Sequence, residues 1–329
     1  MAAALSELRL GTRGSQLALW QAREVAARIV ESGGPRCRVI VIKTSGDRLQ
    51  EVPLSEVGGK RLFVKEIEDA LLRREIDLAV HSGKDMPALL PEGLIIGGAL
   101  PREDPRDAVV LPGPPTLSSI EDLILHLGQS PRIGTGSVRR VSQLTRLMPG
   151  ANFAAIRGNL DTRLRKLDDG EYHALVVAVA GLRRLGFASR ISLALPCAAC
   201  IPAPGQGIVA IEIREDDDEA RRTAGRIDDP AASAALSAER AVVAALGGGC
   251  QTPIGALASP VDSENLDLVA TVVSLDGSRA VRGRARGPRD EAAAIGVRVG
   301  AQLLADGADE ILADARRSQP TVDVADPLP

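Results

Sequence analysis

The sequence predicts an α/β protein built as two lobes with mixed sheets, followed by a small α+β domain at the C-terminal end. Three observations predict it. Short β-rich runs alternate with helical patterns over the first two-thirds of the chain, two stretches dense in proline interrupt that alternation, and the texture changes beyond residue 230. At 329 residues the chain is longer than one ordinary core holds, so two or three domains are expected. A composition of 45% hydrophobic and 25% charged residues is that of a globular protein and excludes disordered and fibrous classes.

In chain order, LRLGTR (8 to 13) reads as a strand leaving into a turn. The segment from Ser15 carries Ala18, Ala22, Val25 and Ile29 at helical spacing and stops at Gly33-Gly34-Pro35. CRVIVIK (37 to 43) is the second strand; Phe63, Ile67, Ala70 and Leu71 mark a helix, and DLAVHS (77 to 82) runs as a strand into GKDMP. A second set of alternations starts near 107: DAVVL, a helix over 118 to 127, RIGTG, a helix over 138 to 147, NFAAI, a helix over 160 to 168, then HALVVAVA. LPREDPRDA (100 to 108) is the expected crossing between the lobes and IPAPGQG (201 to 207) the return, after which IVAIEI (208 to 213) completes the first sheet. The third domain reads as an alanine-rich helix over 231 to 246, a glycine-cysteine loop, two strands near 266 to 286 and a helix from about 290. The expected division is 1–104 with 206–225 as a discontinuous first lobe, 105–205 as the second lobe, 226–316 as the third domain and 317–329 as a tail.

Several function classes are set aside by composition. No apolar run reaches the length of a bilayer span, and MAAALSELRL has neither a basic leader nor a long apolar centre, so the cytoplasm is the expected compartment. Cys37, Cys197, Cys200 and Cys250 do not make a disulfide framework in a chain this long. A net charge of −3 argues against nucleic-acid binding, and Trp20, Phe63, Phe153, Tyr172 and Phe187 are too few for base stacking. His81, His126 and His173 are scattered, and Cys197 with Cys200 supplies two ligands at most, so no metal site is expected. PCAACIPAPG is also too rich in proline for a redox helix start, and that cysteine pair is read as incidental.

The chemistry concentrates in loops at strand ends, where α/β proteins place ligands. In RIGTGSVRR (132 to 140) a strand ends in glycines, Ser137 stands as a helix N-cap, and Arg139 and Arg140 fall in the first turn. Backbone N–H groups, the positive end of the helix dipole and two guanidinium groups would converge there on an anion. The alternative is a capped helix with solvent-facing arginines, although arginine in a first turn opposes the dipole and needs a reason. IRGNLDTRLRKL adds Arg157 and Arg163, VAGLRRLG adds Arg183 and Arg184, GTRGS adds Arg13 and GGKR adds Lys60. No phosphate-loop or dinucleotide signature is present, so a ligand with many carboxylates fits better than a nucleotide. Among these cations Asp85, next to Lys84 in HSGKDMP, reads either as a turn former ahead of proline or as a carboxylate that holds a cationic intermediate. Cys250 sits in GGGCQTPIG, a stretch too flexible for a packing role.

The blocks GTRGSQLALWQ, GGKRLFVKEIE, LAVHSGKDMP, EDPRDA, IGTGSVRR, IRGNLDTRLRKLD, AVAGLRRLG, PAPGQG and GGGCQTPIG, in this order, resemble the hydroxymethylbilane synthase family, also called porphobilinogen deaminases, from about residue 8 to 316. The resemblance implies two periplasmic-binding-protein-like lobes and a third domain whose cysteine, here Cys250, carries a dipyrromethane cofactor through a thioether. It implies a transferase that joins four porphobilinogen molecules head to tail, with loss of ammonia, into hydroxymethylbilane for haem biosynthesis. Asp85 would then be the catalytic carboxylate and touch the cofactor as well. Lys84, Thr135, Ser137, Arg139, Arg140 and Arg163 resemble the family's contacts to cofactor carboxylates, and Arg13, Ser15, Gln21, Arg157 and Arg184 those to incoming substrate. Lys60 would lie in a closing loop, and a monomer is expected. Three positions depart from the usual pattern: Gly83 replaces a bulky apolar residue and should loosen the backbone beside Asp85, Gly136 replaces a frequent serine, and Arg61 a usual glycine. Two competing readings remain, a non-enzymatic two-lobed binder of a small carboxylate and a cysteine hydrolase; the latter needs a histidine base that no block supplies.

Overall fold

The computed structural model describes residues 7–48, 64–113, 115–249 and 251–318. The first lobe is built from β1 (Glu7–Thr12), α1 (Gln16–Glu31), β2 (Arg36–Val41), α2 (Ser45–Arg48), α3 (Lys65–Leu72), β3 (Leu78–Ser82) and β4 (Leu94–Ala99). The second holds β5 (Asp107–Val110), α4 (Ile120–Leu127), β6 (Arg132–Gly134), α5 (Val138–Leu147), β7 (Asn152–Ala154), α6 (Leu160–Asp168), β8 (Ala174–Ala178), α7 (Val179–Arg184) and β9 (Leu193–Ala194). The chain then returns through β10 (Val209–Arg214) and α8 (Asp218–Gly225).

Both sheets have the same layout. The first runs β2-β1-β3-β10-β4 and the second β7-β6-β8-β5-β9, with parallel pairing at the β1 and β6 ends. In each lobe the strand entered from a crossing, β10 or β5, is antiparallel to its neighbours. Alternation in the strands divides the core between two faces. Leu8, Leu10, Leu78, Val80, Val209, Ile211 and Ile213 bury one face of the first sheet under Ala22, Val25 and Ile29 of α1 and Ala220 and Ala224 of α8. Ala79 faces the other way, toward Ile67 and Leu71 of α3. Truncating a fully buried leucine such as Leu10 to alanine costs about 2–5 kcal/mol, so this layering is strongly specified. In the second lobe Val109, Ile133 and Val176 meet Leu123 and Leu144, while Val110, Leu175 and Val177 meet Leu164, Leu167 and Leu182.

The third domain consists of α9 (Pro230–Ala245), an antiparallel sheet of β11 (Ile254–Pro260), β12 (Asn265–Val273) and β13 (Ala280–Pro288), and then α10 (Ala292–Ala305) and α11 (Ala308–Arg317). Leu236 and Val242 of α9 and Ile295, Val299 and Leu303 of α10 pack on Ala256, Leu268, Ala270 and Val272 of the sheet. The same cluster takes in Met86, Ala99 and Ala210 of the first lobe, so α9 lies between the domain's own sheet and the lobe. The reading of two strands here is corrected to three. IGALASP has few β-branched residues and follows a glycine-rich loop, so its strand character comes from pairing with β12, not from propensity. Short β9, edge strand β4 and helices α8 and α11 likewise go beyond the sequence reading.

The crossings are anchored by one carboxylate. Glu239 of α9, fully buried, accepts from Arg102 Nη1 at 2.6 Å, Gly205 N at 2.6 Å and Ala258 N at 2.7 Å. Arg102 also donates to Gln206 O at 2.8 Å, which ties the outward crossing to the return. Gly207 has φ +87° and a Cβ there would stand 2.3 Å from Glu103 O, so only glycine lets the two crossings lie side by side.

Candidate functional site

The strand ends of the first lobe supply one wall. Ser15 Oγ caps α1 by accepting from Ala18 N at 3.3 Å, which leaves Arg13 in the turn just ahead of the helix. The buried amide of Gln21, one turn on, exchanges hydrogen bonds with Ser82 at the end of β3: its Nε2 donates to Ser82 Oγ at 2.9 Å and its Oε1 accepts from it at 3.1 Å. Gly83–Asp85 then form a single 3₁₀ turn that carries Lys84 and Asp85 out of the strand. Arg13, Ser15, Gln21, His81, Ser82 and Asp85 line one cavity of about 60 Å³. Beneath it His81 Nε2 lies 3.0 Å from Glu212 Oε2, both buried, a pair that sequence reading did not single out.

Gly83 does not loosen this turn. Its N–H donates to Ile208 O at 2.8 Å, and a Cβ would come within 2.9 Å of Gly205 O, so the glycine packs the end of β3 against the return crossing. Gly136 likewise faces Ile156 O, 3.3 Å from where a Cβ would be.

The second lobe supplies the opposite wall. Ser137 Oγ caps α5 by accepting from Arg140 N at 3.4 Å, and Ser137 N donates to Thr135 Oγ1 at 3.3 Å. The arginines that follow turn inward. Asp107, the fully buried first residue of β5, takes Arg139 Nη1 at 2.8 Å, Arg140 Nε at 2.9 Å and Gln206 Nε2 at 2.9 Å. This is the reason two arginines tolerate a helix N-terminus. Burial alone would raise the Asp107 carboxyl, yet Arg139 and Arg140 hold it far below the usual carboxylate range. Cys200 donates its S–H to the same carboxylate at 3.4 Å, and burial with that negative neighbour pushes its thiol up to about 12, so it is an inert core thiol. Arg163 Nε donates to Gly158 O at 2.8 Å from the first turn of α6. Arg184 of α7 donates to Gly207 O at 2.7 Å and lies over the Trp20 ring of α1 at 5.5 Å, a seam between the lobes.

The walls act on each other electrostatically. Lys84 of the first lobe is lowered to about 8, by burial first and then by the charge of Arg140 in the second, against the pull of Asp85 and Asp107. Arg163 is lowered to about 10, by burial and then by Arg140 and Arg157, with Asp85 opposing. One carboxylate carries two guanidinium groups at Asp107, so a positive excess is left facing Lys84, Arg157 and Arg163. The structure thus brings Lys84, Asp85, Arg140, Arg157 and Arg163 within electrostatic reach of one another and groups Arg13, Ser15 and Gln21 beside Asp85, but the expected carboxylate contacts of Arg139 and Arg140 are corrected, because Asp107 and the carbonyls of Ile201 and Val176 take up their guanidinium groups. Cys250, Lys60 and Arg61 lie outside the described residues. Asp107, Gln206 and Glu239 were missed as site residues; the signals in the sequence were the EDPRDA and PAPGQG blocks that hold Asp107 and Gln206, and none marked Glu239. Among the described residues no group of three or more His, Cys, Asp or Glu is placed to hold a metal ion, and no helix is long and apolar enough to cross a membrane.

Fold and site together define a two-lobed α/β protein that gathers basic side chains of both lobes around Asp85. The chain belongs to the porphobilinogen deaminase family: the model of the porphobilinogen deaminase dipyromethane cofactor binding domain matches residues 8–222, and that of the porphobilinogen deaminase C-terminal domain matches residues 234–305. It is 44% identical to the porphobilinogen deaminase of Geotalea daltonii over 94% of this chain and 95% of that protein. It is 46% identical to that of Syntrophobacter fumaroxidans over 94% of this chain and 98% of that protein. Among solved structures, an ancestral cationic amino acid solute-binding protein aligns at 14% identity and a TM-score of 0.41, covering 68% of this chain and 88% of that one.

Proposed function

We propose that this chain carries out its family's reaction in the cleft between the lobes, with Asp85 as the catalytic carboxylate. It is a transferase that joins porphobilinogen units head to tail, with loss of ammonia, into hydroxymethylbilane on a dipyrromethane held through Cys250. The observation that carries the reading is the state of Lys84 and Arg163, two half-buried cations whose charge is disfavoured by burial and by like-charged neighbours. Carboxylates of a ligand supply the anions that this cluster lacks, and a bound dipyrromethane presents several, so the donor set fits the group.

When bound, the dipyrromethane supplies a covalent primer with a free ring carbon to which units are added. Lys84 and Arg163, with the hydroxyls of Thr135 and Ser137, hold its carboxylates, while Arg140, its guanidinium taken up by Asp107 and Val176 O, adds positive charge from behind them. Arg13, Ser15, Gln21, Arg157 and Arg184 orient the acetate and propionate of an incoming porphobilinogen. Asp85 accepts from the pyrrole N–H and faces the positive charge that develops on the substrate's methylene carbon as the amine departs. Arg139, turned to Asp107, contributes charge and position. Lys60 is a loop candidate for closing the cleft.

Intact-mass measurement on purified protein tests the reading. An active chain should weigh more than its polypeptide by two pyrrole rings, and Cys250→Ser should lose both the adduct and porphobilinogen consumption. An active wild-type chain of bare polypeptide mass would overturn it. A non-enzymatic binder explains the cleft but leaves the third domain and its cysteine loop without a task. The same proposal takes the chain to divide at about residues 104, 205 and 225 and to act as a monomer in the cytoplasm, which light scattering and cell fractionation check.

A further inference from the structure

We infer that Gln143, together with Arg139, is a positioning residue: from α5 these two side chains clamp the return crossing at Ile201 and so set where the third domain, with the Cys250 loop, stands against the second lobe. The inference rests on the function proposed above and adds to it the device that places the cysteine-bearing domain.

Gln143 is buried and forms a complete amide pair with a single backbone residue. Its Nε2 donates to Ile201 O at 3.0 Å and its Oε1 accepts from Ile201 N at 2.7 Å. Arg139, one turn earlier on the same face, donates to that same carbonyl at 2.8 Å while its guanidinium is fixed by Asp107. Ile201 is thereby held in both its donor and its acceptor, without belonging to any strand. The next residue passes the constraint on, because Pro202 O accepts from Ala256 N of β11 at 3.0 Å. Gly255 lies against the clamp itself: a Cβ there would be 2.8 Å from Ile201 O and 3.1 Å from Gln143 Nε2, so a larger residue would force the strand away. β11 begins at Ile254, four residues after Cys250 in the sequence. A third residue of this helix face, Arg146, donates to Gly277 O in the turn between β12 and β13 at 2.8 Å. α5 therefore presents Arg139, Gln143 and Arg146, at i, i+4 and i+7, to the return crossing and the third domain.

Gln143→Leu removes both hydrogen bonds at similar volume; Gln143→Glu keeps the acceptor for Ile201 N but sets a charged oxygen against Ile201 O in place of the donor. Each is compared with Ile29→Val, a core change in the first lobe remote from the clamp, at a temperature where the losses in Tm are matched. The full-length chain is incubated with porphobilinogen and the fraction carrying the adduct is followed by intact mass, while hydrogen exchange reports the Ala256 amide. Gln143→Leu should acquire the adduct at least tenfold more slowly than wild type and exchange Ala256 faster by a similar factor; Ile29→Val should do neither. Once loaded, the variant should keep its KM for porphobilinogen while kcat falls. If Gln143→Leu does not fold, the same comparison is made with Gln143→Glu. Loading at the wild-type rate in the Gln143 variant, or equal slowing in Ile29→Val, overturns the inference. Wild-type chain that consumes porphobilinogen with no adduct at all sinks the parent reading instead, so the two failures are distinguishable.

Discussion

Asp85 stands at the end of β3 beside Lys84, on the wall of a cavity that also presents Arg13, Ser15 and Gln21. A charge pair at about 4 Å and an effective dielectric near 20 is worth roughly 4 kcal/mol, which gained only in the transition state is about a thousandfold in rate. Asp85→Asn should therefore lower kcat by about that factor with Tm nearly unchanged, as steady-state kinetics and thermal melts will report. Lys84 makes a pH prediction. Its charged form is disfavoured in the folded protein, to about 8, against an ordinary value of 10.5. Between those two values the unfolded chain binds the extra proton, so Lys84's contribution to the stability of ligand-free protein rises with pH across that window. A ligand carboxylate reverses the preference, so binding takes up a proton there and weakens as pH rises through about 8. Urea titration of the cofactor-free Cys250→Ser protein between pH 8 and 10.5 should show the rise in stability, and Lys84→Met should remove Lys84's share of it.

Among the elements, α5 carries the densest chemistry. Its span over 138 to 147 and its Ser137 cap were readable from the sequence, because a serine N-cap and apolar periodicity are local signals. Ser137→Ala should cost about 1 kcal/mol in unfolding free energy measured by urea titration. Where its arginines point was not readable. Asp107 lies 32 residues before Arg139 and 99 before Gln206, and an aspartate opening a strand looks like any turn residue until the fold brings these partners to it. Asp107→Asn leaves two buried guanidinium groups with a weaker partner and should destabilise the protein by about 3–5 kcal/mol. The sign with pH follows from its lowered pKa: Asp107's contribution is complete above the ordinary carboxylate range and is lost as pH falls below it, so wild type and Asp107→Asn should converge in stability toward strong acid. The missed strands, β9 with two residues and β11 with few β-branched ones, have the same explanation: pairing across the sheet defines them.

For the whole molecule, the two crossings and α9 meet at Glu239, so a single carboxylate links both lobes' connections to the third domain. Glu239→Gln cannot accept from Arg102, Gly205 and Ala258 with equal charge, and should cost about 3–5 kcal/mol while speeding hydrogen exchange at Gly205 and Ala258 together. Read on its own, the sequence determined the alternation of strands and helices, the crossings as proline-rich breaks, the basic strand ends around Asp85 and the family to which those blocks belong. All of these are encoded within windows of a dozen residues, by periodicity, capping and turn chemistry. Tertiary structure alone decided which cations face the cleft and which face inward, and that Gly83 tightens a contact where added freedom was expected. The partner of a charge, or the backbone opposite a missing Cβ, is supplied by chain far away in sequence, and only packing says which segment that is.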